Sequence, residues 1–464
     1  MNVTLSMTIK QHEELKQHLF PMDGKEAIAF ALCGRRAGTD RHRLLVRKIL
    51  LVPHEKCSVR HRDQITWPTE VLPLLVDEAA KRDMAILKIH SHPSDLPRFS
   101  LIDDKSDRTL FASLHNWIDG IHPHASAVML PDGKIFGRAV NKECEFNVLS
   151  SINIVGNDII SWYGEEGDRS VPEFVKSHAQ AFGLATFDRL SKLRIAVVGC
   201  SGTGSVVIEQ LVRLGISELV LVDPDYVEER NLNRILNTKM VDAQNNIKKV
   251  DVFSSVISDI GLGTQVVVFD RELCDPDVVR AVAECDVVFG CMDGITGRHL
   301  LNRLATFYTI PYFDVGVRLE ADGNGGIQQI VGSVHYLQPG LSSFLTRNVF
   351  TMEALTAESI RKADPQHYKE QVQAKYIKGV NEKRLAVISV NMFYASLAVN
   401  DFLSRIHPYR DDHSSLFAST TISLSHSVFD HHPEENTCPS LTPHTGKGDT
   451  IPLLEMPSLG RIDQ

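Results

Sequence analysis

LRIAVVGCSGTGSVVIEQLVRLGISELVLVDPD, residues Leu193 to Asp225, decides the architecture of the larger part of the chain. An apolar run enters a turn containing Gly199, Gly202 and Gly204. The turn opens a helix, SVVIEQLVRLG, whose apolar residues recur at helical spacing. A second apolar run, ELVLVDPD, follows. Strand, glycine turn, helix and strand within about thirty residues make a βαβ unit, the opening of a doubly wound fold. Ser201 stands where a dinucleotide fingerprint would have its second glycine.

Toward the carboxyl end, QVVVFD (Gln265 to Asp270), DVVFGCMD (Asp286 to Asp293) and IPYFDVGV (Ile310 to Val317) read as further strands. Such near-continuous apolar runs suit a mostly parallel sheet covered on both faces. Leu385 to Ile406 reads as a long core helix. From His407 the chain turns polar and rich in His, Ser, Pro and Asp, which predicts a docking tail or a partly disordered one. Toward the amino end, the polar stretch WYGEEGDRS (Trp162 to Ser170) is the candidate boundary. Before it come an amphipathic helix from Thr8 to Phe20, a strand from Glu26 to Gly34 in a hairpin with Leu44 to Pro53, and a helix from about Thr69 to Lys81. A strand from Met84 to His90 and a hairpin around Pro-Asp-Gly in Ala125 to Val140 complete that part. The expected class is α/β, with an α+β unit over residues 1–155, a doubly wound Rossmann-like unit over 170–407 and a polar tail over 408–464 carrying Cys438.

A chain of 464 residues exceeds one ordinary core, so several domains are expected. The formal charge of -9 offers no general attraction to nucleic acid or anionic membranes. With no run of 18 apolar residues, no membrane span is expected. The first residues lack a basic start followed by an apolar core, so a cytoplasmic protein is the expectation. The eight cysteines are scattered without a C-x-x-C pair, and reduced, mostly buried thiols are expected.

Leu87 to Asp104, LKIHSHPSDLPRFSLIDD, carries a different chemistry. Histidines at i and i+2 near a strand end point to one face, so His90 and His92 can share one ion. Asp103 can complete the set. Two imidazoles, a carboxylate and an open position make the ligand pattern of catalytic zinc. Asp95, Asp104 and Asp107 read as loop solvation or helix capping.

The full spacing H-x-H-x(7)-S-x(2)-D, with an acidic residue upstream in an apolar strand, resembles the MPN/JAMM metallopeptidases over residues 20–140. The resemblance implies zinc on His90, His92 and Asp103, Glu26 as general base, and Ser100 as the group that stabilises the oxyanion. Glu26 can also be read as a solvated residue at a strand start.

In LVDPDYVEERNLNRI, Asp223 ends the second strand and Asn231 and Arg234 follow. The order of glycine turn, D-x-D, N-L-x-R, lysine and a later aspartate resembles the ThiF and ubiquitin-activating enzyme superfamily over residues 178–406. By that resemblance Gly199, Gly202 and Gly204 would let the backbone approach ATP phosphates. Asp223 would hold the ribose, and Asn231, Arg234 and Lys249, or Lys248 in its place, would neutralise the triphosphate. Asp293 would hold Mg²⁺. The reaction implied is carboxylate attack on the α-phosphorus with loss of pyrophosphate.

Two departures stand out. Pro339-Gly340 is followed by LSSFLTR, which lacks the C-x-x-C that binds a structural zinc in many relatives. Between Asp293 and Pro433 there is no cysteine for thioester chemistry. Cys438 is left as either an idle thiol or a nucleophile on a mobile segment, with His431, His432 or His444 able to favour its thiolate. The arginine that relatives supply to the partner subunit has no counterpart near Ala181, where Lys176 and His178 stand.

Together the two resemblances imply the fused peptidase and activating proteins of bacterial ubiquitin-like systems, some of which act against phage. Zn²⁺, ATP and Mg²⁺ would be the cofactors. A ubiquitin-like protein, a conjugating enzyme and a second copy in a homodimer would be the partners. The alternatives are sulfur-carrier activation and processing in cofactor or cysteine biosynthesis, and a non-catalytic assembly scaffold.

Overall fold

The computed structural model describes residues 2–164, 172–322, 324–366, 368–369 and 386–460. Residues 165–170 of the expected boundary and Leu385 lie outside these. Among the described residues, one unit takes the chain to residue 164 together with Phe307–Thr309 and His444–Gly460, and the other takes 172–306 and 310–443.

In the first unit β1 (Asn2–Thr8) runs into α1 (Ile9–Leu19), where Thr8 and Gln11 form a reciprocal capping box. β2 (Ile28–Ala37) and β3 (Arg41–Leu51) are the expected hairpin, registered from Ala29 opposite Leu51 to Ala37 opposite His42. A small ribbon of β4 (Val59–Arg60) and β5 (Ile65–Thr66) precedes α2 (Leu72–Arg82), β6 (Ala85–Ser91) and α3 (Leu101–Trp117). β7 (His124–Met129) and β8 (Ile135–Val140) make the second hairpin, followed by β9 (Phe146–Val148), β10 (Ser151–Val155) and β11 (Ile159–Tyr163). All of these except β4 and β5 form one nine-stranded sheet in the order β11-β10-β1-β3-β2-β6-β7-β8-β9.

β2 shows why the sheet is buried on both faces. Its residues alternate sides: Ile28, Phe30 and Leu32 meet Leu72 and Leu75 of α2 and Phe111 and Leu114 of α3, whereas Ala29, Ala31 and Cys33 join Leu15 and Leu19 of α1. Each large side chain fully buried this way contributes roughly 1.5–3 kcal/mol.

In the second unit α4 (Lys176–Phe182) and α5 (Leu184–Leu190) lead into β12 (Arg194–Val198), α6 (Gly202–Arg213) and β13 (Glu218–Val222). α7 (Met240–Gln244), α8 (Lys249–Ile260), β14 (Gln265–Phe269), α9 (Pro276–Val282), β15 (Val287–Gly290), α10 (Ile295–Phe307) and β16 (Tyr312–Ala321) continue the alternation. β17 (Ile327–Leu337), α11 (Met352–Ala363), a long helix Ile388–Ile406, β18 (Ser419–Ser423) and β19 (Val428–His432) follow. The sheet order is β14-β13-β12-β15-β16-β17-β18-β19, parallel as far as β16 and antiparallel beyond. Strand order reverses between β12 and β15. In doubly wound sheets the crevice at the carboxyl ends of such strands is where ligands bind.

The polar stretch after His407 is not a free tail. β18 pairs with β17 from Val331 opposite Ser423 to His335 opposite Ser419, and β19 pairs with β18. In the first unit Gly448 bridges Arg35 in parallel, the Asp449 N–H donates to the Arg35 carbonyl at 2.6 Å, and the Asp449 carboxylate meets Arg36 at 3.3 Å. Antiparallel strands with a solvated face need no apolar run, so backbone pairing orders a segment whose composition reads as disordered. Among the described residues no helix is long and apolar enough to cross a membrane.

Candidate functional site

The first cluster forms where β6 ends and α3 begins. The Nε2 atoms of His90 and His92 lie 3.2 Å apart. Asp103 closes the triangle, with one carboxylate oxygen 3.0 Å from His90 Nε2 and the other 3.5 Å from His92 Nε2. The helix places that aspartate. Ser100 caps α3 and Asp103 is its third residue; the Ser100 backbone N–H and hydroxyl each donate to Asp103 Oδ2 at 2.7 Å. The Ser100 proton is thereby committed to Asp103 in this geometry. Glu26, just before β2, is 7% exposed, and it, His90 and His92 each offer an atom within 4.8 Å of the others.

Burial raises the Glu26 carboxyl to about 7, with His92 opposing and Asp103 adding to the effect. Burial alone would also raise Asp103, but hydrogen bonds from His90 and His92 hold it well below the usual carboxylate range. His92 Nδ1 lies 2.9 Å from the Leu96 carbonyl; donating there leaves Nε2 free to ligate. His90 Nδ1 is buried without a hydrogen-bond partner among the described residues. Asp107 is not solvated, in contrast to the expectation: it is fully buried between Lys88 and Arg138. Asp104, in the first turn of α3, keeps 40% of its side chain exposed and also pairs with Arg138. Lys88 was legible as a lysine inside an apolar strand, which demands a buried partner.

The second cluster surrounds the turn between β12 and α6. Gly199 has φ +94°, and a Cβ there would stand 2.6 Å from the Cys291 carbonyl oxygen. A Cβ on Gly204 would fall 1.8 Å from the Gly199 oxygen. Only glycine permits this close passage at the switch point. The Cys200 N–H at the turn donates to Asp223 Oδ2 at 2.7 Å, and Asp223 Oδ1 accepts from the Asp225 N–H at 3.0 Å. Burial raises the Asp223 carboxyl, with Lys249 opposing.

Lys249 and Lys248 have different surroundings. Lys249, the first residue of α8, is 4% exposed, with Nζ 3.4 Å from Asp223 and 2.7 Å from Asp225. Lys248 turns to the Pro224 carbonyl at 2.6 Å and lies over the Tyr226 ring. Asn231 is buried, its Oδ1 accepting from the Glu228 N–H at 3.1 Å, and its carbonyl accepts the Arg234 N–H. Arg234 Cδ lies 3.6 Å from where a Cβ on Gly202 would stand, so this arginine flanks the turn. Asp293 is exposed in the loop between β15 and α10, two residues beyond the Cys291 that abuts Gly199.

Sequence reasoning missed a buried group beneath that loop. Arg298 Nε lies 3.2 Å from Asp314, which accepts from the Tyr312 hydroxyl at 2.8 Å. An aspartate inside the apolar run PYFDVGV was its signal. Asn391 was also missed: its Nδ2 would meet a Cβ on Gly202 at 2.2 Å.

Cys438 sits elsewhere, in the segment pinned to the loop after Pro339. Its N–H donates to the Leu341 carbonyl at 2.9 Å, its sulfur lies 3.2 Å from Ser440 Oγ, and it is 1% exposed. Burial raises its thiol, but hydrogen bonds from Ser343 and Ser440 bring it below the ordinary value. Nearby, Glu434 accepts from Arg347 at 2.9 Å and from the Ser342 N–H at 2.9 Å, joining these two segments. His431 lies 3.0 Å from Thr420, His432 lies 3.4 Å from Asp430, and His444 lies 3.1 Å from Glu455. Lys176 forms an exposed ion pair with Glu173, and the side chain of His178 lies outside the described residues.

The ThiF family model matches residues 175–439, and a model described as prokaryotic homologs of the JAB domain matches residues 10–139. Ubiquitin-like modifier-activating enzyme 5 of Aedes aegypti is 26% identical over 174 residues, 35% of this chain and 41% of that protein. The Drosophila sechellia protein of the same name is 26% identical over 218 residues, 43% and 51% of the two chains. The chain spans about half or less of the length of these curated relatives. Among solved structures, E. coli MccB with MccA-N7isoASN is 18% identical at a TM-score of 0.46, over 59% of this chain and 75% of that one. PaaA is 18% identical at a TM-score of 0.42, over 58% and 86%.

Proposed function

The chain belongs to the ThiF family, carrying a JAB domain before its ThiF domain, and from that premise we propose that it acts twice on the C-terminal carboxyl of a ubiquitin-like protein. The ThiF domain adenylates the carboxylate. The JAB domain cleaves the acyl bond after it, in maturation or deconjugation.

The observation that carries the adenylation reading is Lys249, almost wholly buried yet facing the acids beside the glycine turn. Its ammonium is paired with Asp223 and Asp225 and stands beside the turn, where it can meet phosphate charge. The substrate carboxylate oxygen attacks the α-phosphorus of ATP and pyrophosphate departs. Lys249, Arg234 and Asn231 offset the developing negative charge, Asp223 accepts from ribose hydroxyls through its remaining lone pairs, and Asp293 holds Mg²⁺. The burial of Cys438 supports direct transfer of the adenylated carboxyl to a nucleophile on a partner, such as a conjugating enzyme, over an internal thioester.

For the JAB domain the donor set fits zinc. Ligands about 2.0–2.1 Å from a tetrahedral ion stand roughly 3.3–3.4 Å from one another, and the separations of 3.2, 3.0 and 3.5 Å among His90, His92 and Asp103 bracket that edge. When bound, zinc supplies a water acidic enough to ionise near neutral pH. Glu26, buried beside the two histidines, takes a proton at its carboxylate and returns it to the departing amine. Ser100 holds Asp103 and stands beside the cluster, where its hydroxyl can turn to an oxyanion.

The test uses a ubiquitin-like protein ending in glycine and the same protein with a C-terminal extension. Pyrophosphate exchange with the first and zinc-dependent trimming of the second are expected. No exchange with any such partner would favour the scaffold alternative, and extension-independent proteolysis would sink the shared-substrate reading.

A further inference from the structure

A buried ionic network stands behind the metal cluster. Lys88 lies two residues before His90 on β6, hence on the same face, and its Nζ is 2.6 Å from Asp107 Oδ1. Asp107 follows Asp103 by one helical turn on α3 and is fully buried. Its other oxygen accepts from Arg138 of β8, Nη2 at 2.7 Å and Nε at 3.2 Å, while Arg138 Nη1 reaches Asp104 at 2.5 Å. The guanidinium carbon lies 3.8 Å from the Phe99 ring centre and 3.7 Å from that of Phe146. Phe99 immediately precedes Ser100 and packs on Phe136, whose ring faces His92.

One guanidinium therefore touches α3 at two carboxylates, β6 through Asp107 and Lys88, and the chain entering Ser100. Stability alone is a weak reason for such a network, because buried ion pairs are often matched or surpassed by apolar side chains of similar size. What the network sets is the place of α3 against β6. That place fixes the distance from Asp103, on α3, to the two imidazoles, His90 on β6 and His92 just after it.

We propose that Arg138 is a positioning residue: acting through Asp104 and Asp107, it sets the separation of Asp103 from His90 and His92. The inference rests on the reading of this cluster as a metal site. Lysine is a poor substitute, because one ammonium lacks the planar fork that spans two carboxylates and stacks on two rings.

The experiment measures Zn²⁺ affinity of the full chain by competition with a chromophoric chelator, and the visible spectrum of the Co²⁺ form. The variants are Arg138→Met, Arg138→Lys and Asp104→Asn. Arg138→Met is expected to weaken zinc binding about 10–100-fold, the range for residues that orient metal ligands, and to shift the cobalt bands; Arg138→Lys recovers part of both. A merely structural role would lower thermal stability and leave affinity and spectrum of the folded variant unchanged, which would overturn the proposal. If Arg138→Met does not fold, Asp104→Asn decides: it keeps the buried Asp107 pairs, and wild-type affinity and spectrum there would overturn the proposal equally. A wild-type chain that binds no Zn²⁺ would instead sink the metal reading, and this inference with it.

Discussion

Lys249 Nζ lies 3.4 Å from Asp223 Oδ1, joining the first turn of α8 to the end of β13 at the glycine turn, and both side chains are buried. The neighbouring lysine has no share in this contact. Lys249→Ala is expected to slow partner-dependent pyrophosphate exchange about 10²–10³-fold, the usual loss for one charge-stabilising donor. Lys248→Ala should leave exchange within a few-fold of wild type. Equal losses in the two would refute the assignment.

Gly204→Ala tests the turn itself. A methyl group 1.8 Å from the Gly199 oxygen must push the turn apart. A destabilisation of about 1–3 kcal/mol is expected, the range for overpacking a tight core, together with loss of ATP binding. Denaturant unfolding and nucleotide titration measure the two effects, and a wild-type midpoint would contradict the geometry.

His90→Ala with His92→Ala should remove bound zinc, read by elemental analysis, and abolish trimming of an extended substrate. Pyrophosphate exchange should persist. Retained stoichiometric zinc would refute the ligand assignment.

Acid should destabilise both units. Burial, with Arg35 adding to it, lowers His42 to about 3; burial, with Arg347 adding to it, lowers His335 to about 3. Below about 6.5 the unfolded chain binds protons that the folded chain refuses. Stability is therefore fully present above that value and falls as the pH drops toward 3, by up to about 1.4 kcal/mol per pH unit for each histidine. Denaturation at pH 7 and pH 5 checks the slope. His42→Gln and His335→Gln should each flatten it.

Cys438→Ser should leave both exchange and transfer near wild type, since the thiol is 1% exposed. A reducible adduct with the ubiquitin-like partner that disappears in the variant would restore the thioester reading.

Much of this was legible in the sequence because it depends on near neighbours. The alternation that puts His90 and His92 on one face, the fixed spacing from those histidines to Ser100 and Asp103, and the turn at Gly199 are encoded within a few residues. Three-dimensional contacts decided the rest. Lys248 and Lys249 look alike in a string, and only the start of α8 sends one to Asp223 and the other to Pro224. Residues 419–432 read as tail because their side chains are polar, yet their backbone groups complete a sheet whose partner strand lies about ninety residues upstream.

The sequence by itself determined the two domain types, their order and the residue types of both clusters, since periodicity and spacing are local properties. Tertiary structure alone decided which lysine faces the glycine turn, that Cys438 is enclosed, and that Asp107 belongs to a buried network with Lys88 and Arg138, which Asp104 joins from its exposed edge. Those outcomes depend on which distant side chains share an interior where an unpaired charge cannot be left.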